Sequence, residues 1–351
     1  RAILHLDMDA FFVNVYLLSH PEDKGIPLAI GGRPEQRGVV ASASYEARAF
    51  GICSAMPMKT AVRLYRDLKI VSADWDAIRS SSHKVMEILR DVGRTEQISV
   101  DEAFVDLSDV DAPANMAIAL QARVKQATGL PCSVGLGTSK LVAKVASDYD
   151  KPEGCTIVAS GDEADFLAPL PVRVIWGIGQ VTAERLQEVG VTTCAELVAL
   201  PLDRLQANFG NQAESMQRRA RGQDDREVND QPGISKSISQ EWTFTRDIGD
   251  EEQLATKLAD MCEQVGASLQ RKQLVARTVT VKFRWADFTT LTRQRSIIRP
   301  ISTPDAIFSL AHDIWRANWP TGKPMRLLGV GVSNIESAEA LRQLMFNFSE
   351  E

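Results

Sequence analysis

Leu4-His5-Leu6-Asp7-Met8-Asp9-Ala10-Phe11-Phe12 and, far along the chain, Ile98-Ser99-Val100-Asp101-Glu102-Ala103-Phe104-Val105-Asp106 decide the reading. Both stretches are rich in Ile, Leu, Val and Phe and are predicted to be buried β-strands. Asp7, Asp101 and Glu102 sit inside them. An unpaired carboxylate in an apolar strand costs several kcal/mol. Three that meet repel, and their pKa values rise. A divalent cation relieves both penalties, and hard oxygen ligands suit Mg²⁺. The pattern therefore points to a two-metal site for phosphoryl or nucleotidyl transfer. Plainer readings stand beside it. Asp9 precedes the apolar run 11–18 and is expected to cap a helix there. Asp101-Glu102 also suits a hairpin turn between two strands, and adjacent residues reach one metal cluster only at a strand end.

Further motifs follow in a fixed order: Gly38-Val39-Val40-Ala41-Ser42-Ala43-Ser44-Tyr45-Glu46-Ala47-Arg48, Ser54-Ala55-Met56-Pro57, Ser133-Val134-Gly135-Leu136-Gly137, Lys140-Leu141-Val142-Ala143-Lys144-Val145-Ala146-Ser147-Asp148 and Lys151-Pro152. With Asp7–Phe12 and Ser99–Ala103, this series resembles the Y-family of translesion DNA polymerases, in its DinB-type branch, over nearly the whole chain. Each motif alone is weak; the ordered set is specific.

The resemblance implies a set of roles. Asp7, Asp101 and Glu102, with the Met8 carbonyl, hold two Mg²⁺. Tyr45, Arg48 and Lys151 contact the triphosphate of a deoxynucleotide, Ser42 adds a smaller contact, and amides from Ala10 through Phe11 to Phe12 cradle phosphate. Phe12 is the steric gate, a ring that leaves no room for a 2′-hydroxyl. Taken singly, Arg48 suits a surface pair with Glu46, Lys151 a solvated turn and Phe12 a core position beside Phe11. Tyr16 departs from the usual Glu, Glu153-Gly154 from Asn or Asp after Lys-Pro, and Trp75 and Ile78 from the usual Phe and Tyr.

At 351 residues the chain exceeds one compact core, and two to four domains are expected. Hydrophobic residues at 44% and charged residues at 25% are ordinary for a globular protein. No apolar run reaches membrane-spanning length, and no membrane partner is expected. The five Cys residues are scattered without a CxxC pair, which argues for a reducing, cytoplasmic setting. The chain begins at Arg1 without Met and carries no signal sequence, so a trimmed N-terminus is expected.

The expected fold is α+β and multidomain, in the plan of a right-hand polymerase. Residues 1–10 and 73–158 form a ferredoxin-like palm, with strands at 2–8, 98–107 and 131–137 and helices at 77–92 and 115–128. Residues 11–72 form small fingers. Residues 159–229 read as an all-helical thumb whose Trp176-Gly177-Ile178-Gly179 resembles a helix–hairpin–helix, with Gly177 and Gly179 presenting amides to DNA phosphate. After a linker at 230–237, residues 238–341 show a β-α-β-β-α-β order that resembles the family's α/β little finger.

The net charge of −6 is awkward for a DNA-binding protein, so its distribution matters more. Residues 271–299 carry eight basic residues against Asp287 alone. Strand alternation there is expected to align Lys282, Arg284, Arg293 and Arg295 on one face as a phosphate track; a solvated face is the bland alternative.

The tail, residues 342–351, contains Gln343, Leu344, Phe346 and Phe348, which resemble a sliding-clamp peptide; a frayed last strand fits as well. The expected protein is a monomeric, low-fidelity, template-directed polymerase acting on primer–template DNA and deoxynucleoside triphosphates, with no room for a proofreading nuclease. The alternatives are a non-catalytic relative that only binds DNA and clamp, and a nucleotide cyclase sharing the palm. The retained carboxylates oppose the first, and the basic segment with the hairpin thumb opposes the second.

Overall fold

The computed structural model describes residues 1–231 and 233–339. In chain order the elements are β1 (Ile3–Met8), α1 (Phe11–Ser19), β2 (Leu28–Gly31), β3 (Val40–Ala43), α2 (Tyr45–Arg48), α3 (Met58–Leu64), β4 (Lys69–Val71), α4 (Trp75–Arg90), β5 (Thr95–Gln97), β6 (Glu102–Asp106), α5 (Pro113–Thr128), β7 (Cys132–Gly137), α6 (Lys140–Tyr149) and β8 (Cys155–Ile157). They continue with α7 (Glu163–Leu167), α8 (Gln180–Glu188), α9 (Cys194–Ala199), α10 (Leu202–Phe209), α11 (Ala213–Ala220), β9 (Ser237–Ile248), α12 (Glu251–Arg271), β10 (Leu274–Trp285), β11 (Thr290–Ile301), α13 (Pro304–Asn318) and β12 (Met325–Ser337). Two compact units emerge: residues 1–32 with 39–231, and Arg33–Gly38 with the described residues after Gln231.

The first unit is built on a five-stranded sheet ordered β5-β6-β1-β7-β8. Successive side chains of a strand face opposite ways. Leu4, Leu6 and Met8 of β1 pack on one side with Val85 and Leu89 of α4 and Leu120 and Val124 of α5. The α4 face repeats at helical spacing, and its first turn is capped by Asp74, which accepts from the amides of Asp76 and Ala77 at 3.1 and 3.0 Å. On the other side lies α6, whose Ala143 packs with Ile3, Phe104 and Val228. A Cβ on Gly135 of β7 would collide with the Ala143 carbonyl and the Ser147 amide of α6 and sit 2.8 Å from the Ala146 carbonyl carbon. Gly135 is thus what lets α6 lie close on the sheet.

A small sheet, β3-β2-β4, forms from residues 28–71, and α1 shares side chains with both groups: Phe11 and Val15 with the large sheet's core, Ala10 and Val13 with Leu28 and Ile30. Helices α7 to α11 close around Leu167, Leu186, Leu197 and Leu205. The expectation of helix throughout 159–229 fails at its end. Residues 223–230 form no regular element and return to the large sheet, burying Val228 and donating the Asn229 amide to Glu96 at 2.7 Å.

The second unit has the expected β-α-β-β-α-β order as a sheet β11-β10-β12-β9 with α12 and α13. Val279, Val281 and Phe283 of β10 face the helices' Leu258, Val265 and Ile307. Each such side chain, fully buried, contributes about 1.5–3 kcal/mol. The opposite face is polar: Ser239, Thr280, Lys282 and Thr292 line a trough floored by Gly329 and Gly331.

Candidate active site

β1 and β6 run antiparallel with Asp7 directly opposite Glu102, and the Met8 amide donates to the Asp101 carbonyl at 2.9 Å. Strand register alone thus sets the first and third carboxylates side by side. The segment expected to be one strand over 98–106 is instead a turn followed by β6. The Ile98 and Ser99 amides both donate to the Glu102 carbonyl, at 3.0 and 3.3 Å. The Ser99 hydroxyl donates to the Asp101 carboxylate, and its oxygen accepts from the Asp101 and Glu102 amides at 3.2 and 3.1 Å. Asp101-Glu102 is therefore both a hairpin end and a carboxylate pair, as one place on the sheet.

Each strand carboxylate meets a lysine. Asp7 accepts from Lys151 at 2.9 Å, and the same ammonium meets Asp148 at 2.6 Å. Glu102 accepts from Lys144 and, at 3.2 Å, from Nε2 of His5, whose Nδ1 lies 2.7 Å from the Ser147 hydroxyl. Burial pushes Asp7 up to about 6, against the pull of Lys151. The hydrogen bond from His5, then Lys144, holds Glu102 down at about 2 despite its burial. Burial lowers His5 to about 4, so the imidazole is neutral at pH 7. Burial works against the charge of Lys151, but Asp7 and Asp148 hold its pKa above the ordinary lysine value.

A cavity of about 130 Å³ gathers Asp7, Met8, Phe11, Phe12, Ser42, Tyr45, Arg48, Asp101 and Lys151. Arg48 makes no pair with Glu46: its guanidinium lies over the Tyr45 ring at 4.6 Å and its Nε donates to the Ala43 carbonyl at 3.1 Å. Phe11 is buried in the core, whereas Phe12 is partly exposed in the cavity wall.

Asp9 does not cap α1. The N-cap is Ala10, in the left-handed region at φ 39°, with no side-chain cap bond. Asp9 is buried and points across the sheet, accepting from Ser133 at 2.9 and 3.1 Å, from the Glu153 amide at 2.8 Å and from the Tyr45 hydroxyl at 3.3 Å. Burial and Asp9 push Tyr45 up to about 12, so its hydroxyl stays a donor. Asp9 therefore ties Tyr45 and the approach to Lys151 to the sheet. Sequence reasoning also passed over His5 and Lys144; a polar residue in an otherwise apolar strand was the signal for the first.

Gly177 and Gly179 line a separate cavity of about 500 Å³ with Lys144, Asp148, Arg173 and Trp176. Gly177 adopts φ 100° and Gly179 is the N-cap of α8.

The four basic residues of β10 and β11 do not share one face. Arg293 pairs with Val281 and Arg295 with Val279, so both lie on the helix side, where Arg295 meets Asp313 of α13 at 3.1 Å. Lys282 and Arg284 pair with Thr292 and Thr290 on the open side, where Lys282 meets Glu241 at 2.8 Å. Alternation fixes faces within a strand, but only register relates one strand's faces to the next. The tail residues Gln343, Leu344, Phe346 and Phe348 lie outside the described residues.

The donor set fits a hard divalent cation: three carboxylates, one raised by burial, beside a backbone carbonyl. Among the described residues no three His, Cys, Asp or Glu side chains already converge on a point, since Glu102 is drawn toward His5 and Lys144.

Acidic groups on paired antiparallel strands, facing a small cavity edged by Arg48, Lys151 and a tyrosine, define a nucleotidyl-transfer class of enzyme. Comparison with known proteins narrows the class. Residues 6–148 match the impB/mucB/samB family, 235–346 its C-terminal domain, and 174–224 the thumb domain of DNA polymerase-iota. DNA polymerase IV of Dehalococcoides mccartyi is 39% identical over 95% of this chain and 87% of its own length. DNA polymerase IV of Methanoculleus marisnigri is 40% identical over 96% and 95%. In fold, the chain is similar to a Y-family DNA polymerase chimera, Dbh-Dpo4(243-245)-Dbh, at TM-score 0.85 and 22% identity, covering 96% of this chain and 100% of that one. DinB from Sulfolobus solfataricus superposes at TM-score 0.65 and 23% identity over the same shares. The chain belongs to the impB/mucB/samB family, the Y-family DNA polymerases.

Proposed function

We propose that this chain is a DNA-directed DNA polymerase that extends a primer 3′ end on a template at low fidelity, bypasses damage, and lacks proofreading. The observation that carries this reading is the single cavity that gathers Asp7, Asp101, Phe12, Ser42, Tyr45, Arg48 and Lys151. Divalent-metal dependence accompanies membership of the family. Asp7, Asp101, Glu102 and the Met8 carbonyl would hold two Mg²⁺, which supply hydroxyl activation and neutralisation of the leaving pyrophosphate when bound.

The chain's own residues do the rest. Arg48 and Lys151 bind triphosphate oxygens, Arg48 as a fork and Lys151 as a point charge. The Tyr45 hydroxyl, which donates to Asp9 here, turns its one proton to a triphosphate oxygen when the nucleotide binds, and Ser42 and the amides at the start of α1 add polar contacts. The Phe12 ring excludes a 2′-hydroxyl by contact. In this plan residues 1–10 and 73–158 are palm, 11–72 fingers, 159–229 thumb and 238–341 little finger. Gly177 and Gly179 hold duplex phosphate, Lys282 and Arg284 a phosphate track on the open face, and Arg293 and Arg295 the rim of the edge strand. The protein acts as a monomer and docks on a sliding clamp through its tail.

Asp101→Asn keeps shape and removes a charge. Primer extension with Mg²⁺ should fall by orders of magnitude while primer–template binding persists. Extension near the wild-type rate would remove Asp101 from the site.

A further inference from the structure

Phe12 is a wall shared by two cavities. On one side lies the carboxylate-lined cavity. On the other lies a larger one of about 320 Å³, lined by Val15, Tyr16, Ile30, Val71 and Ile78 among others. That rear space is not filled by Tyr16. Its hydroxyl is fixed on Asp23 at 2.6 Å, and His20 stacks on its ring at 4.1 Å. An aromatic side chain on a helix has two favourable χ1 orientations. A ring with open space behind it can leave the front cavity unless something holds it.

Two rings touch it. Phe11 lies at 5.9 Å between centroids and belongs to the core. Trp75 meets Phe12 edge-on at 5.4 Å and 75°, from the first position of α4, next to the Asp74 cap that anchors that turn. Trp75 is 51% exposed, so about half of its surface stays open to solvent. We propose that Trp75 is a specificity-determining residue for the sugar: it buttresses Phe12 toward the front cavity and keeps the ring out of the space behind. This inference rests on the reading of Phe12 as the gate.

An edge-on aromatic contact corresponds to about a three- to tenfold change in the population of the held orientation. The measured quantity is the ratio of kcat/KM for a deoxynucleotide to that for the matching ribonucleotide, on one primer–template. Four variants are compared with wild type: Phe12→Ala, Trp75→Ala, Trp75→Phe and the double alanine variant. The inference expects Phe12→Ala to lower the ratio most. Trp75→Ala should lower it about three- to tenfold through a rise in the ribonucleotide kcat/KM. Trp75→Phe, which keeps an aromatic edge, should restore the wild-type ratio. The double variant should match Phe12→Ala alone, because a buttress has no effect once the ring is gone. An unchanged ratio in Trp75→Ala with a lowered one in Phe12→Ala overturns the inference and leaves the gate standing. Additive effects in the double variant overturn it equally. An unchanged ratio in Phe12→Ala removes the gate reading itself, and the inference with it.

Discussion

His5 gives the large sheet an acid sensitivity that one substitution should remove. The imidazole is fully buried between Ser147 and Glu102, and burial lowers its pKa to about 4. In the unfolded chain it titrates near 6.5. Because the folded value is depressed, the unfolded chain takes up a proton that the folded one refuses. Stability is therefore complete above pH 6.5 and falls as pH drops toward 4. Between pH 7 and pH 5 the loss from this residue works out at about 2 kcal/mol. Two neighbouring groups do not blur the comparison. Asp7, raised to about 6, contributes in the opposite sense but is present in both proteins; Glu102 is held at about 2 chiefly by His5 in wild type, and in the variant Lys144 still holds it down. His5→Phe should be less stable at pH 7 by about 1–2 kcal/mol, for its two lost hydrogen bonds. Its stability should then change less on acidification than that of wild type, by about 2 kcal/mol. Urea unfolding of the whole chain at the two pH values measures the double difference. Parallel curves for the two proteins would refute the reasoning, since the buried neutral imidazole would then carry none of the pH dependence.

Gly135→Ala should cost about 1–3 kcal/mol by thermal denaturation and raise KM for the incoming nucleotide, since the new methyl group pushes on α6, which leads into Lys151; unaltered Tm and KM would mean that α6 shifts freely. Lys282→Ala with Arg284→Ala should flatten the salt dependence of DNA binding by about one unit per lost phosphate contact, and Arg293→Ala with Arg295→Ala should do so less, because the helices share the side on which the latter pair lies. The reverse ranking, read from binding at three salt concentrations, would put DNA on the other side of the sheet. Deleting residues 342–351 should leave extension of short primers intact and abolish stimulation by a sliding clamp; equal stimulation with and without the tail would assign those residues to the last domain.

Much of this molecule could be read without coordinates. Carboxylates inside apolar strands are anomalous on elementary solvation grounds, and that anomaly singled out Asp7, Asp101 and Glu102. The strand and helix periods between 237 and 337 sufficed for the element order of the second unit. Three things depended on the third dimension. The place of Asp9 turns on β7 and residue 153 arriving beside it, so a residue that looked like a local cap became a cross-sheet acceptor. The pairing of Lys144 with Glu102 and of His5 with Ser147 exists only because Gly135 lets α6 lie against the sheet. The split of the basic residues between two faces follows from the offset of β10 against β11. The physical reason is common to all three: local pattern records what each segment buries, whereas which segments meet, and in what register, is settled by the packing of the whole core.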